Sequence, residues 1–186
     1  MSWSISWSWQ ANQRISAIAA VEGGIVVSNG LEMVLIESDG SIRWSIKTPF
    51  KVHSMNYHNG ILAALAAHGF YVISTMDGSM IHDGRSTFGG FTDVLHRPGG
   101  GWILTGKEGQ MHLFSHEGVG IKRFQTGKVR RIVGWLDREH ILWQSDDGKL
   151  WCGRLGNNYS KRCLEDRIWS WVSRLDQGRL LFDRVL

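Results

Sequence analysis

Residues 15–46 read ISAIAAVEGGIVVSNGLEMVLIESDGSIRWSI, four short apolar runs that are separated by glycine-containing turns. The turns are Gly23-Gly24, Asn29-Gly30 and Asp39-Gly40. Asn-Gly and Asp-Gly between apolar runs are the strongest local signal for a β-hairpin, because both central residues of a type I′ turn need positive φ. The sequence therefore predicts four antiparallel strands joined by tight turns.

The same four-strand unit recurs along the chain. First strands are predicted to start near residues 15, 52, 91, 129 and 168, a spacing of 37 to 39 residues. No segment sustains the apolar spacing of a helix over three turns. Four strands that repeat about every forty residues are typical of a β-propeller blade. We expect an all-β, single-domain propeller over residues 1–186, with about five blades of about 38 residues.

The last blade is predicted to be incomplete, because the fifth unit has only two strands before Leu186. Residues 3–9 read WSISWSW, an alternation of apolar residues and serines that predicts a strand with one buried face. We expect this strand to complete the last blade, since an uncovered edge strand invites aggregation. Two alternatives stay open: residues beyond Leu186 close the ring, or a second copy does. The second would make a homodimer or a larger assembly through the N- and C-terminal strands.

One motif identifies the kind of repeat more closely. Residues 34–44 read VLIESDGSIRW, an apolar strand, an Asp-Gly turn and a strand that carries Trp44. This pattern resembles the blade signature of quinoprotein-like (PQQ-type) repeats, with weaker echoes at residues 72–80 and 113–124, where Phe124 takes the aromatic place. WD40 repeats share the period, but their Gly-His and Trp-Asp pairs are missing here. The resemblance implies the fold and no cofactor, because a chain this short cannot enclose a quinone and calcium.

Charge and hydropathy limit the expected cellular compartment and the expected binding partners. No apolar run approaches the roughly 20 residues of a membrane-spanning helix. The N-terminus lacks the basic segment and apolar core of a signal peptide, which favours the cytoplasm, although a mature secreted form would read the same. Residues 1–93 carry 5 basic and 7 acidic side chains, whereas residues 94–186 carry 16 and 10. The basic second half could meet an acidic partner, although a modest excess of arginine is more often a solvated surface.

Ten tryptophans form the first set of candidate contact residues. Half of them lie in the segments predicted to close the ring: Trp3, Trp7, Trp9, Trp169 and Trp171. Burial between blades explains these indoles, because large aromatic side chains usually pack. If they were exposed instead, they could form a platform for sugar rings, as in a lectin-like propeller.

Arginines and cysteines complete the candidate set. Arg130 and Arg131 are candidate partner contacts, but alternation along a strand splits the basic residues between two faces, so nucleic acid is not the expected partner. A two-residue turn at Asn157-Asn158 would put Cys152 directly opposite Cys163, as a cross-strand pair.

No catalytic or metal-binding motif is present in the sequence. His96, His112 and His116 fall in one predicted blade, but their spacing matches no zinc motif. The expected function is a non-catalytic interaction or scaffold module that presents loops from one propeller face to a protein partner. The alternatives are a carbohydrate-binding lectin that uses tryptophan platforms and, third, a small hydrolase or lyase with histidines near the axis.

Overall fold

The structure is a computed structural model that describes residues 7–85, 90–156 and 158–165, and the backbone of residues 169–174 and 180–184. The described residues form four four-stranded antiparallel sheets and one hairpin. Sheet 1 comprises β1 Ile15–Val21, β2 Gly24–Asn29, β3 Glu32–Glu37 and β4 Ile42–Lys47. Sheet 2 comprises β5 Val52–His58, β6 Ile61–Ala66, β7 Gly69–Ser74 and β8 Met80–Arg85.

Sheets 3 and 4 repeat this order in the second half of the chain. Sheet 3 comprises β9 Phe91–His96, β10 Trp102–Gly106, β11 Gln110–Phe114 and β12 Gly120–Gln125. Sheet 4 comprises β13 Val129–Trp135, β14 His140–Ser145, β15 Leu150–Arg154 and β16 Ser160–Glu165. The hairpin comprises β17 Trp169–Arg174 and β18 Leu180–Arg184. Within each sheet, every strand pairs with the next strand along the chain.

The chain packs as two compact units, residues 1–87 and residues 88–186. In the first unit, one face of sheet 1 packs against sheet 2 through side chains such as Val26, Leu35 and Leu62, which are fully buried. Strand β1 lies against β5, where the Ser16 hydroxyl donates a 2.6 Å hydrogen bond to the carbonyl of Val52.

The second unit is built in the same way. Sheets 3 and 4 share a core that includes Ile103, Met111 and Trp143, and β13 lies against both β9 and β17. The Asp93 carboxylate on β9 accepts a 2.9 Å hydrogen bond from the backbone N–H of Ile132 on β13. First strands therefore contribute polar contacts between sheets as well as core side chains, such as Val52 in the first unit and Trp135 in the second.

The predicted repeat is confirmed at its first four units, since β1, β5, β9 and β13 begin at Ile15, Val52, Phe91 and Val129. The blade count of about five is not confirmed, because only four sheets are complete and the fifth has two strands within the described backbone. The prediction of one domain over residues 1–186 stays a prediction. Among the described residues no helix is long and apolar enough to span a membrane.

The predicted N-terminal strand is wrong where it can be checked. Trp3 and its neighbours up to residue 6 lie outside the described residues, and residues 7–10 form no strand. Trp7 and Trp9 instead pack, half-buried, on the face of sheet 1 that carries Val27, Val34 and Ile36. Alternation of apolar and polar residues reports one buried face, and here an irregular segment buries that face without joining a sheet.

Candidate functional site

Trp7 is held by the turn between β3 and β4. Its indole N–H donates a 2.8 Å hydrogen bond to the carbonyl of Ser38. Gly40 in the same turn has φ +89°, and a Cβ on this residue would lie 3.0 Å from the Trp7 ring. The glycine thus serves both the left-handed turn and the close approach of the indole.

The five candidate tryptophans are divided between the two units of the chain. In the first unit Trp7 and Trp9 cover sheet 1, and Trp3 is outside the described residues. In the second unit Trp169 and Trp171 lie in β17, where their backbones pair with Arg184 and Asp183. The sugar-binding platform stays a prediction.

Arg130 and Arg131 both lie on β13 and differ in exposure. Arg130 is exposed, whereas Arg131 is half-buried. Burial lowers the pKa of Arg131, the nearby Asp93 carboxylate opposes this shift, and the Arg130 charge adds to it. The pairing of β13 with β14 shifts register between Val129 and Arg131, and the role of the two arginines as partner contacts stays a prediction.

The cysteine pairing prediction is wrong by one residue. Cys152 pairs with Arg162, and Cys163 pairs with Trp151. The β15–β16 connection is centred on residue 157 instead of between residues 157 and 158, which shifts the register by one and sends the thiols to opposite faces. Both cysteines are free; Cys152 is buried and Cys163 is exposed.

The three histidines of sheet 3 support aromatic packing. His96 meets the buried Trp102 ring edge-on at 5.5 Å between centroids, and His116 stacks on the same ring at 6.0 Å. His112 packs against Phe91 at 5.4 Å. Across the described residues no group of three potential ligands could hold a metal ion.

The fourth strands form the outer edge of every complete sheet, and each exposes an aliphatic side chain. Ile42 is 54% exposed, Ile81 44%, Ile121 59% and Leu164 40%. The turns that lead into fourth strands also expose apolar side chains, with Met76 80% exposed and Val119 63% exposed. We call these residues the outer-strand surface.

Sheets 3 and 4 are joined at their outer strands by two lysines that reach in opposite directions. Lys122 on β12 donates a 3.0 Å hydrogen bond from Nζ to the carbonyl of Gly156 in the β15–β16 turn. Lys161 on β16 donates a 2.8 Å hydrogen bond from Nζ to the carbonyl of Thr126, just after β12. We call this line of contact the lysine seam.

Aromatic rings lie under both lysines of the seam. Lys122 Nζ lies 5.3 Å from the centre of the Phe124 ring, and Lys161 Nζ lies 5.2 Å from that of Trp151. Tyr159 closes the seam between them, because its hydroxyl donates a 3.1 Å hydrogen bond to the carbonyl of Gln125 and its ring packs on Phe124 at 5.2 Å. Rings and carbonyls attract the two cations without neutralising their charge.

Lys122 occupies the place that Trp44 occupies in sheet 1. Trp44 lies opposite Leu35 and donates a 3.0 Å hydrogen bond from its indole N–H to the carbonyl of Thr75, in the β7–β8 turn of the following sheet. Lys122 lies opposite Leu113 and makes the corresponding bond. The sequence assigned the aromatic place to Phe124, two residues further along β12, so that assignment is corrected.

Comparison with known proteins shows the fold. No family model matches the chain, and no curated protein matches it in sequence. The structure of BamB from Moraxella catarrhalis, a PQQ-like β-propeller protein, is similar over 87% of this chain, with a TM-score of 0.72 and 14% identity. The chain spans 53% of the length of that protein.

Two further solved structures are similar. A protein of unknown function from Bacteroides caccae matches 95% of this chain and 72% of its own length, with a TM-score of 0.68 and 14% identity. The computationally designed protein Ika4 matches 84% of this chain and all of its own length, with a TM-score of 0.72 and 11% identity. These similarities show a β-propeller fold, and the similarity to BamB, a PQQ-like propeller protein, agrees with the resemblance noted at residues 34–44.

Proposed function

We propose that the chain is a non-catalytic protein-interaction module, and that its outer-strand surface is the part that contacts the partner. The observation that carries this proposal is the exposed aliphatic side chain on the fourth strand of all four complete sheets, exemplified by Ile121 at 59%. Edge strands combine free backbone hydrogen-bonding groups with such side chains, and both are used when a partner segment docks beside a sheet.

Rigid support favours this surface over the loops that the sequence suggested. Each fourth strand is paired along its length with a third strand whose apolar side chains are buried, as Met111 and Leu113 are in β11. A contact surface on regular strands keeps its geometry when the partner binds, so less ordering free energy is lost.

Site-specific photo-crosslinking tests the proposal. A photoreactive amino acid at Ile81 or Ile121 is expected to capture the same protein from extracts of the source cells. The matched control places the probe at Arg138, which is exposed in the β13–β14 turn and does not belong to the outer-strand surface. Equal capture by the probe at Arg138 would contradict the proposal. So would unchanged capture by a probe at Ile81 in a chain that also carries Ile121→Ser.

We further propose that copies of the chain associate through the β17–β18 hairpin. Its support is the strand count: this sheet has two strands in the described backbone, where each of the others has four. Two-stranded hairpins are marginally stable alone and gain stability when another strand pairs with them. Sedimentation analysis of the wild type and of Phe182→Pro, which removes a backbone donor from β18, checks this; an unchanged mass distribution would exclude it.

A further inference from the structure

We propose that the lysine seam binds an extended acidic segment of the partner protein, with carboxylates about four residues apart. This inference rests on the proposed interaction function and specifies the chemistry of the partner. The seam consists of Lys122, Phe124, Trp151, Tyr159 and Lys161, all within the second unit of the chain.

The first step of the argument is that the fold does not require a positive charge at Lys122. Trp44 makes the same contact between sheets 1 and 2 with a neutral indole donor. Trp44 and Lys122 each lie four residues before a threonine. The backbone N–H of Thr48 donates to the β2–β3 turn of sheet 1, and that of Thr126 donates to the corresponding β10–β11 turn of sheet 3. The sheets can therefore be joined with or without a cation, so the charge of Lys122 is available for another use.

The second step is that the charge of the seam is not neutralised. Nζ of Lys122 and Nζ of Lys161 each bond to a backbone carbonyl, and within the described ranges neither takes part in a salt bridge. Arg43 in sheet 1 and Arg154 in sheet 4 show the contrast, since Glu37 and Glu139 pair with them. Each ammonium group has three donors, so two remain for an anion.

The third step is the spacing. Lys122 and the Thr126 carbonyl that holds Lys161 are four residues apart along β12 and its end. In extended chain the Cα atoms of residues 122 and 126 are roughly 13 Å apart, at about 3.3 Å per residue. Nζ of Lys161 lies 2.8 Å from the carbonyl oxygen at the Thr126 end of this span, and Nζ of Lys122 lies within its own side chain's length of the other end. Side chains four apart on an extended segment point to the same side, so glutamates at positions i and i+4 would meet the two lysines together.

The fourth step concerns the number of charges. The seam offers two ammonium groups, those of Lys122 and Lys161. Nucleic acids bind through a row of phosphate contacts to a continuous basic groove, so two cations fit two carboxylates of a protein segment better than they fit a nucleic acid.

The probe for the test is a nine-residue fluorescent peptide with glutamates at its third and seventh positions and alternating threonine and valine elsewhere. The comparison peptide moves the second glutamate to the sixth position, on the opposite side of an extended chain. Binding is followed by anisotropy. We expect the first peptide to bind several-fold more tightly, in proportion to one additional ion pair.

Three variants identify the seam. Lys122→Trp introduces the residue that sheet 1 uses, and Lys161→Gln keeps an N–H donor; each is expected to weaken the first peptide about threefold or more. The control Arg154→Gln removes the same charge from an already paired residue in sheet 4 and should leave binding unchanged. Thermal unfolding of each variant shows whether it is folded, and Lys122→Trp is expected to match the wild type.

The outcomes separate the alternatives. Equal losses in all three variants, or equal affinity for the two peptides, would mean non-specific attraction and overturn the inference. If a single-stranded oligonucleotide displaces the peptide and binds the same two lysine variants more weakly, the ligand of the seam is a nucleic acid, and the inference of an acidic segment is overturned. Absence of peptide binding overturns this inference alone, because the crosslinks from Ile81 and Ile121 test the interaction function without reference to the seam.

Discussion

The indole N–H of Trp135 donates a 2.7 Å hydrogen bond to the carbonyl of His96, and so ties the end of β13 to the end of β9. Trp135 is buried, and its ring belongs to the core that sheets 3 and 4 share. The contact combines an apolar ring with a polar anchor, which is the usual arrangement of a buried indole. Substitutions of Trp135 can therefore measure how much this contact contributes to stability.

Trp135→Phe is expected to lower the free energy of unfolding by about 0.5 to 1.5 kcal/mol, because the hydrogen bond from the indole to the His96 carbonyl is lost while most of the ring packing stays. Trp135→Ala should cost about 3 to 5 kcal/mol, since it also leaves a cavity. Urea unfolding measures both. The control Leu136→Ser changes a neighbouring exposed side chain and should shift stability little. Equal stability of Trp135→Phe and the wild type would contradict the role of the hydrogen bond.

Gly40→Ala should destabilise the chain more than Gly60→Ala does. Both glycines have positive φ, +89° and +79°, so both substitutions strain the backbone by about 1 to 2 kcal/mol. Only at Gly40 would the new Cβ meet another group, the Trp7 ring at 3.0 Å, whereas nothing lies within 4 Å at Gly60. The difference in unfolding free energy between the two variants measures the contact with Trp7, and the total tryptophan fluorescence of the folded protein should change only in the Gly40 variant.

One of the two thiols should react with a disulfide reagent in the folded protein, and both after denaturation. Cys163 is exposed on β16, while Cys152 is buried and burial raises the pKa of its thiol. Thiolate is the reactive form, so Cys152 reacts slowly both because the reagent cannot reach it and because its thiol stays protonated. Cys163→Ser should abolish the fast reaction and Cys152→Ser should preserve it. Two fast thiols, or none, in the wild type would refute the assignment.

Stability is expected to fall on acidification through the pKa of His112. Burial, and to a smaller extent the Arg123 charge, lowers this pKa below the ordinary value of 6.5. The unfolded chain therefore binds a proton that the folded chain does not, so the stabilisation is complete above pH 6.5 and is lost as pH falls towards the folded value. Urea titrations between pH 7.5 and 5 should show that His112→Phe loses less unfolding free energy on acidification than the wild type does. His68→Gln, at an exposed histidine, serves as the control.

The sequence was sufficient for the repeat because turn chemistry is local. The turns fall where predicted, but at Asn29-Gly30 and Asp39-Gly40 only the glycines have positive φ, +67° and +89°, whereas a type I′ turn needs it at both central residues; Asn59-Gly60 meets that condition, at +45° and +79°. The same reasoning failed for the cysteines, since the β15–β16 connection is longer than a two-residue turn and nothing in its sequence fixes the centre. Side-chain exposure on the fourth strands depends on packing, so it could not be read in advance.

Lys122 was missed because the position was identified by residue type. Lys122 follows Gly118 by four residues, as Trp44 follows Gly40, and it precedes Thr126 by four residues, as Trp44 precedes Thr48. Because Lys122 is not aromatic, the aromatic place was assigned to Phe124, the nearest ring on the strand.

The deep burial of the second strand in each complete sheet determines where backbone amides exchange most slowly with solvent. These strands are the most enclosed, as in β6, where Leu62 and its neighbours up to Ala66 are fully buried. Amide protons exchange with solvent slowest where burial and pairing are greatest. The slowest amides should therefore fall in four separate groups along the chain, at β2, β6, β10 and β14, each reporting on the opening of its own sheet.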